Sequence, residues 1–305
     1  MSTTSVTAPG SPTAGTPPVQ LTPAVRSASH GANVLRRLVR NPIAMTAAGI
    51  IALLILVALL APWIMPSDPF ATSMFKRLRP VGTAGFPLGT DELGRDMLSR
   101  LMLGGRLSLF MGIAPVIMAF VIGSGVGILA GYAGGKVNTI IMRCIDVLYA
   151  FPSVLLAIAL SGALGAGITN ALISLTVVFV PQIARIAESV TTQVRRSDYV
   201  DAARASGAPA FTIVRRHVFG NVIGPIFVYA TSLISVSMIL ASGLSFLGLG
   251  VKPPQPEWGL MLNTLRTAIY SQPLIAALPG VLIFMTSVSF NMLADGLRAA
   301  MEVKQ

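Results

Sequence analysis

The chain alternates long apolar runs with short clusters of charge. Five long apolar windows contain no Asp, Glu, Lys or Arg: 41–67, 107–135, 147–184, 218–251 and 267–294. Each exceeds the roughly 20 residues that a helix needs to cross a bilayer. The third window, about 38 residues, would make one helix about 57 Å long, nearly twice a hydrocarbon core of about 30 Å. Its middle reads Ser161-Gly162-Ala163-Leu164-Gly165-Ala166-Gly167-Ile168-Thr169-Asn170, a breaker-rich stretch that predicts a turn between two helices. The pattern therefore predicts an all-α integral membrane protein with six spanning helices, over 43–65, 107–131, 141–161, 169–190, 221–247 and 274–297. Residues 1–34 lack any apolar period and are rich in Pro, Ser, Thr, Ala and Gly, the composition of a disordered tail. They are not built like a secretory signal, because the first apolar run begins after residue 42 and is long enough to span.

Composition agrees with the bilayer as solvent. Charged residues make up 11% of 305, against about 25% in soluble domains, and 53% are hydrophobic. Mean hydropathy is +0.76. The net charge of +11 alone would suit a nucleic-acid binder, but the basic residues sit beside apolar runs, so they report membrane topology and nucleic acid is not expected as a partner. One cysteine, Cys144, permits no internal disulfide. The two histidines, His30 and His217, lie outside the apolar windows, leaving no metal site and no His-based catalyst within the membrane.

An even number of spans places both termini on one side. Arg26, Arg36, Arg37 and Arg40 before the first span, and Arg195, Arg196, Arg204, Arg215 and Arg216 between the fourth and fifth, put that side in the cytoplasm by the positive-inside rule. The segment 66–106 then falls outside despite Lys76, Arg77, Arg79, Arg95, Arg100 and Arg106, as long loops translocate with less regard to charge.

Within this frame a few residues carry chemistry. Ala119, Gly123, Gly127, Gly131 and Gly135 recur every four residues, a stripe of small residues that packs a helix closely against another in this subunit or in a partner. Gly131-Tyr132-Ala133-Gly134-Gly135-Lys136 is one residue short of a phosphate loop and lacks its Ser or Thr, so no nucleotide site is expected. Asp91, Glu92 and Asp96 beside Arg95 read as a loop held by local ion pairs, and Asp146 as an ion-pair partner of Arg143. Pro253, Pro254 and Pro256 with Trp258 make a stiff outer loop with an aromatic interface anchor, which either meets a binding protein or fixes the end of the fifth span. In Tyr199-Val200-Asp201-Ala202-Ala203-Arg204-Ala205-Ser206-Gly207-Ala208-Pro209, residues 201–205 read as a short helix, with Gly207 as its stop and Pro209 opening the next helix. That element is either a solvated basic loop or a shallow knob for a groove on another protein.

The run Asp201-Ala202-Ala203-x-x-x-Gly207 resembles the EAA signature of bacterial ABC importer permeases, and Tyr199 through Asn221 is similar to the version in dipeptide and oligopeptide permeases of the C type. It departs from that pattern in having Asp201 for the usual Glu, and His217-Val218-Phe219-Gly220-Asn221 for a common His-Ile-Leu-Pro-Asn. Three further stretches resemble the same family: Pro87 to Asp96, Gly131-Tyr132-x-Gly134-Gly135 with Arg143-x-x-Asp146 and Phe151-Pro152, and Ser245 to Gly259.

The resemblance implies a type I ABC importer permease core. Its layout would be a cytoplasmic tail (1–34), a first helix (35–65), an extracytoplasmic loop (66–106), a five-helix core (107–297) with a cytoplasmic coupling loop at 191–220, and a short cytoplasmic tail (298–305). It also implies a non-catalytic subunit of the bacterial cytoplasmic membrane. Tyr199, Asp201, Ala202, Ala203, Gly207 and His217 would dock two ABC ATPase subunits that hold the ATP and magnesium. A second, homologous permease subunit and an extracytoplasmic binding protein would complete the assembly, and the substrate would be a dipeptide or oligopeptide, or else glutathione or a nickel complex. An ion-coupled secondary transporter is the competing class; it needs ionisable groups at mid-membrane, which the charge-free windows withhold.

Overall fold

The computed structural model describes residues 30–301. The helices in chain order are α1 (His30–Val39), α2 (Pro42–Ile64), α3 (Met97–Ala133), α4 (Gly135–Tyr149), α5 (Ser153–Leu164), α6 (Ile168–Arg195), α7 (Asp198–Ala205), α8 (Ala210–Ile213), α9 (Phe219–Phe246), α10 (Trp258–Thr264) and α11 (Pro273–Met301). Among the described residues there is no β-sheet, only two isolated bridges in the loop before α3. Five helical stretches are long and apolar enough to cross a membrane: α2, α3, α6, the run from α8 through α9, and α11.

The sixth span has a different shape from the one expected. Residues 141–161 are not one straight helix: α4 and α5 meet at an angle of 85°. The break falls at Ala150-Phe151-Pro152, where proline removes a donor and pushes its predecessor out of the helical region. Two other boundaries also move. The tail expected over 1–34 lies outside the described residues up to 29, but 30–34 already belong to α1, which packs on the C-terminal end of α11. The loop expected over 66–106 ends at Asp96, and the helix expected from 107 starts at Met97. Counting charges places that boundary too late, because Arg100 is helical and buried rather than in water.

Local sequence explains the helix ends. Asn41 caps α2, its Oδ1 accepting from the backbone N–H of Ile43 (3.1 Å) and Ala44 (3.2 Å), with Pro42 at the first helical position. Asp96 caps α3 by accepting from Ser99 N at 2.9 Å. Gly134, at φ +66, ends α3 where a side chain would be strained.

The core is built on the packing of α3 against α6, joined by α9, with α11 bridging α9 and α2. Leu175, Phe179 and Ile183 of α6 and Val222 and Ile226 of α9 are fully buried between them. The small-residue stripe makes this approach possible. A Cβ on Gly123 would lie 2.9 Å from the Val180 carbonyl oxygen, and one on Gly131 would lie 2.7 Å from that of Glu188. Gly127 is equally enclosed by Ala184 and Ala187. Gly135, read as the last member of the stripe, lies outside it: α3 has already ended, Gly135 opens α4 at φ +50, and a Cβ there would meet nothing. By contrast α2 turns Leu53, Leu56, Leu59 and Trp63 outward, the surface of a helix that faces lipid.

Candidate functional site

The element between α6 and α9 leaves the helix bundle as a helical turn and returns. α7 is held by its apolar side: Val200 is fully buried, Ile213 and Val218 close over it from α8 and the following π-turn, and Ala203 and Ala208 pack on the same core. Gly207 adopts φ +78, and Ala208 N donates to the Ala203 carbonyl at 3.2 Å, closing the helix as a Schellman turn. Pro209 then caps α8, and the chain runs through the π-turn Val214–Val218 into α9. The stretch 210–246 is continuously helical through this π-turn and past Gly220, the position of the family's common proline.

This anchoring decides what faces outward. Asp201, Ala202 and Gly207 are exposed, while Ala203 is half-buried. Tyr199 and His217 come together at the base of the turn, ring centroids 6.4 Å apart, with Asn221 Nδ2 donating to the Tyr199 hydroxyl (3.1 Å) and to the His217 carbonyl (2.7 Å). Those three residues fasten α7 to the start of α9. Asp201 pairs with Arg204 at 2.9 Å, and the Arg204 guanidinium lies 5.7 Å from the Tyr132 ring, linking α7 to the end of α3. Phe211 was not singled out by sequence, yet it is 75% exposed on α8, shortly after Gly207. Only the burial of Val200 and Ile213 on the opposite face turns it outward.

The remaining candidate residues separate into two groups at the other end of the bundle. Pro253 and Pro254 are exposed, but Trp258 is not the interfacial anchor that its position suggested: it is 2% exposed and its indole Nε1–H donates to the Leu101 carbonyl at 2.9 Å. The reason is the pair Gly104 and Gly105 of α3, which leaves a slot for the indole ring. Glu257 precedes it, buried, accepting from the N–H of Gly259 (2.9 Å) and Leu260 (2.8 Å) and from the Ser108 hydroxyl (3.2 Å). Desolvation raises its pKa above the usual carboxylate range, opposed by these hydrogen bonds and one from Ser245.

The loop before α3 is likewise folded around charge. Asp91 is buried between Arg95 Nε (2.6 Å) and Arg100 Nε (3.2 Å), Glu92 takes Arg95 Nη2 at 3.1 Å, and Arg100 also donates to the Pro69 carbonyl. The expected local pairs are therefore joined by Arg100, a charge four residues inside the helix. Asp146 behaves differently from expectation. Its partner is Arg185 of α6 at 2.6 Å, not Arg143, because the α4–α5 bend lays α4 along α6 and leaves Arg143 exposed.

Long apolar helices, a bent pair and a helical turn anchored at one end define a multi-pass helical membrane protein. Its fold is similar to that in inward-facing structures of the MetNI methionine ABC transporter, with a TM-score of 0.56 and 20% identity over 67% of this chain and 97% of the other. The chain belongs to the family described as binding-protein-dependent transport system inner membrane component, which matches residues 123–303, and residues 29–80 match the N-terminal TM domain of oligopeptide transport permease C. It is thus an ABC importer permease of the oligopeptide type. Similar curated proteins include the glutathione transport system permease protein GsiD of Pectobacterium atrosepticum, 40% identical over 88% of this chain and 89% of that protein. The protein of the same name from Escherichia coli O157:H7 is 41% identical over the same shares.

Proposed function

We propose that this permease carries peptides across the bacterial cytoplasmic membrane by alternating access, with both termini in the cytoplasm. It works beside a second, homologous permease subunit and receives substrate from an extracytoplasmic binding protein. Two ABC ATPase subunits hold the ATP and magnesium, and this chain contributes no catalytic group. The exposed face of α7 carries the reading: Asp201, Ala202 and Gly207 are exposed, as is Phe211 on α8, and behind them a buried anchor transmits force to α6 and α9. A groove on an ATPase that closes on this turn would push on Val200 and the Tyr199–His217–Asn221 cluster, and so rock the two helices that α7 joins.

Within the peptide class, the GsiD names favour glutathione, a tripeptide, as the first substrate to test. Ala202→Arg adds bulk and charge on the exposed face without touching the anchor, and Gly207→Glu does so at the helix end. With the whole transporter purified by a tag on this chain, both variants are expected to lose the ATPase subunits and ATP-driven uptake while remaining folded. The reading is lost if Ala202→Arg retains ATPases at the wild-type ratio, or if the chain alone imports substrate after ATP is depleted. Competition for uptake by glutathione, a dipeptide and a tetrapeptide then ranks the substrates.

A further inference from the structure

The near-miss of a phosphate loop, Gly131 to Lys136, lies beside a cavity that shares only Asp201 with the exposed docking face. Behind α7, the turn between α3 and α4 meets the last turns of α6 around a polar cavity of about 570 Å³. Its charge is unevenly matched. Three guanidinium groups, Arg195, Arg196 and Arg204, share it with two carboxylates, Glu188 and Asp201. Asp201 is taken by Arg204 at 2.9 Å. Glu188 Oε1 already accepts from Asn138 Nδ2 (2.6 Å) and from the Thr192 hydroxyl (3.0 Å). Arg195 and Arg196 form no ion pair among the described residues; the one bond from Arg195, to the Gly131 carbonyl, is stretched to 3.5 Å. A Cβ on Gly134 would collide with the Arg195 guanidinium, so glycine at that turn is what gives the arginine its place on the cavity wall.

Two guanidinium forks against one carboxylate that no cation pairs, Glu188, leave an excess of positive charge around a polar space at the end of α6, and such forks match the geometry of phosphate oxygens. Basic pockets beside the ends of spanning helices bind lipid headgroups, and the volume exceeds what a single carboxylate would fill. We propose that this cavity binds a phosphate-bearing anion against Arg195 and Arg196, either a phospholipid headgroup or a free phosphate compound. The bound anion would join α6 to the α3–α4 turn and stiffen the base on which α7 stands. The site itself does not depend on α7 docking to an ATPase.

The test uses the full chain in maltoside micelles, which carry no phosphate. Phosphatidylglycerol is added and retained lipid is counted by native mass spectrometry; inorganic phosphate is followed by phosphorus NMR line broadening. The wild type is expected to retain phosphatidylglycerol, and the double variant Arg195→Gln/Arg196→Gln to bind about tenfold more weakly. The pair Arg215→Gln/Arg216→Gln, equally basic and exposed on the π-turn, should bind as wild type does. Glu188→Gln, which keeps an acceptor for Asn138 and Thr192 but removes a negative charge, should tighten binding about fivefold. Retention of the lipid without phosphate binding assigns a headgroup site, and response to both assigns a free phosphate compound. Equal losses in the two arginine pairs would mean diffuse attraction and overturn the proposal. So would failure of both anions to bind while Arg195→Gln/Arg196→Gln sheds ATPase subunits from the whole transporter, which would mark the cavity as a socket for an acidic side chain. If the double variant does not fold, Arg196→Gln alone, at an exposed position, carries the same comparison.

Discussion

Adding one methyl group at Gly127 should part α3 from α6. A Cβ built there lies 2.6 Å from Ala187 Cβ and 2.9 Å from Glu188 N, besides meeting the Ala184 carbonyl oxygen. Carbon atoms in contact rest about 3.5–4.0 Å apart, so Gly127→Ala requires the helices to separate by about 1 Å. Overpacking of this size costs about 1–3 kcal/mol. Alanine also favours the helix over glycine by up to about 1 kcal/mol, which would mask part of the loss. Gly125 provides the correction: it lies on the same helix, and a Cβ there meets nothing within 4 Å. The difference between Gly125→Ala and Gly127→Ala therefore isolates the packing cost, with Gly125→Ala at or above wild-type stability and Gly127→Ala below it by about 1–3 kcal/mol on that scale. Unfolding midpoints in detergent, by heat or by denaturing detergent, measure both. Gly127→Ala equal to or more stable than Gly125→Ala would refute close packing at this crossing.

The end of the bundle opposite α7 offers two further predictions. Asp91→Asn leaves the buried guanidinium groups of Arg95 and Arg100 without their shared carboxylate and should cost about 3–5 kcal/mol, read as faster proteolysis within 66–96; Asp68→Asn on the exposed part of that loop serves as a control, and equal proteolysis of the two would count against the buried cluster. The raised pKa of Glu257 has a defined sign: the fold favours the protonated form, so its contribution is complete below the ordinary carboxylate pKa and lost as pH rises through the raised one. Acidification should therefore stabilise the wild type relative to Glu257→Gln, and parallel pH profiles of thermal unfolding would contradict a desolvated carboxyl.

What could be read in the sequence was whatever depends on one stretch of chain and its solvent. A helix in lipid must satisfy its own backbone and expose apolar side chains, so a charge-free window announces a span without reference to any neighbour. The four-residue repeat of Gly123, Gly127 and Gly131 and the stop at Gly207 are equally local. The direction in which α7 faces was not legible, because burial of Val200 and Ile213 depends on helices distant in sequence.

The sequence by itself determined the class, the number of apolar windows and the family motifs. Tertiary structure decided where each charge and aromatic ring ends up. Arg100 became a buried partner of Asp91, Asp146 chose Arg185 over its neighbour Arg143, and Trp258 left the interface for a slot beside Gly104 and Gly105. Each outcome turns on a contact between residues that spacing along the chain cannot bring together. The α4–α5 bend of 85° belongs to the same group: proline marks where a helix can break, but the packing of α4 along α6 sets the angle.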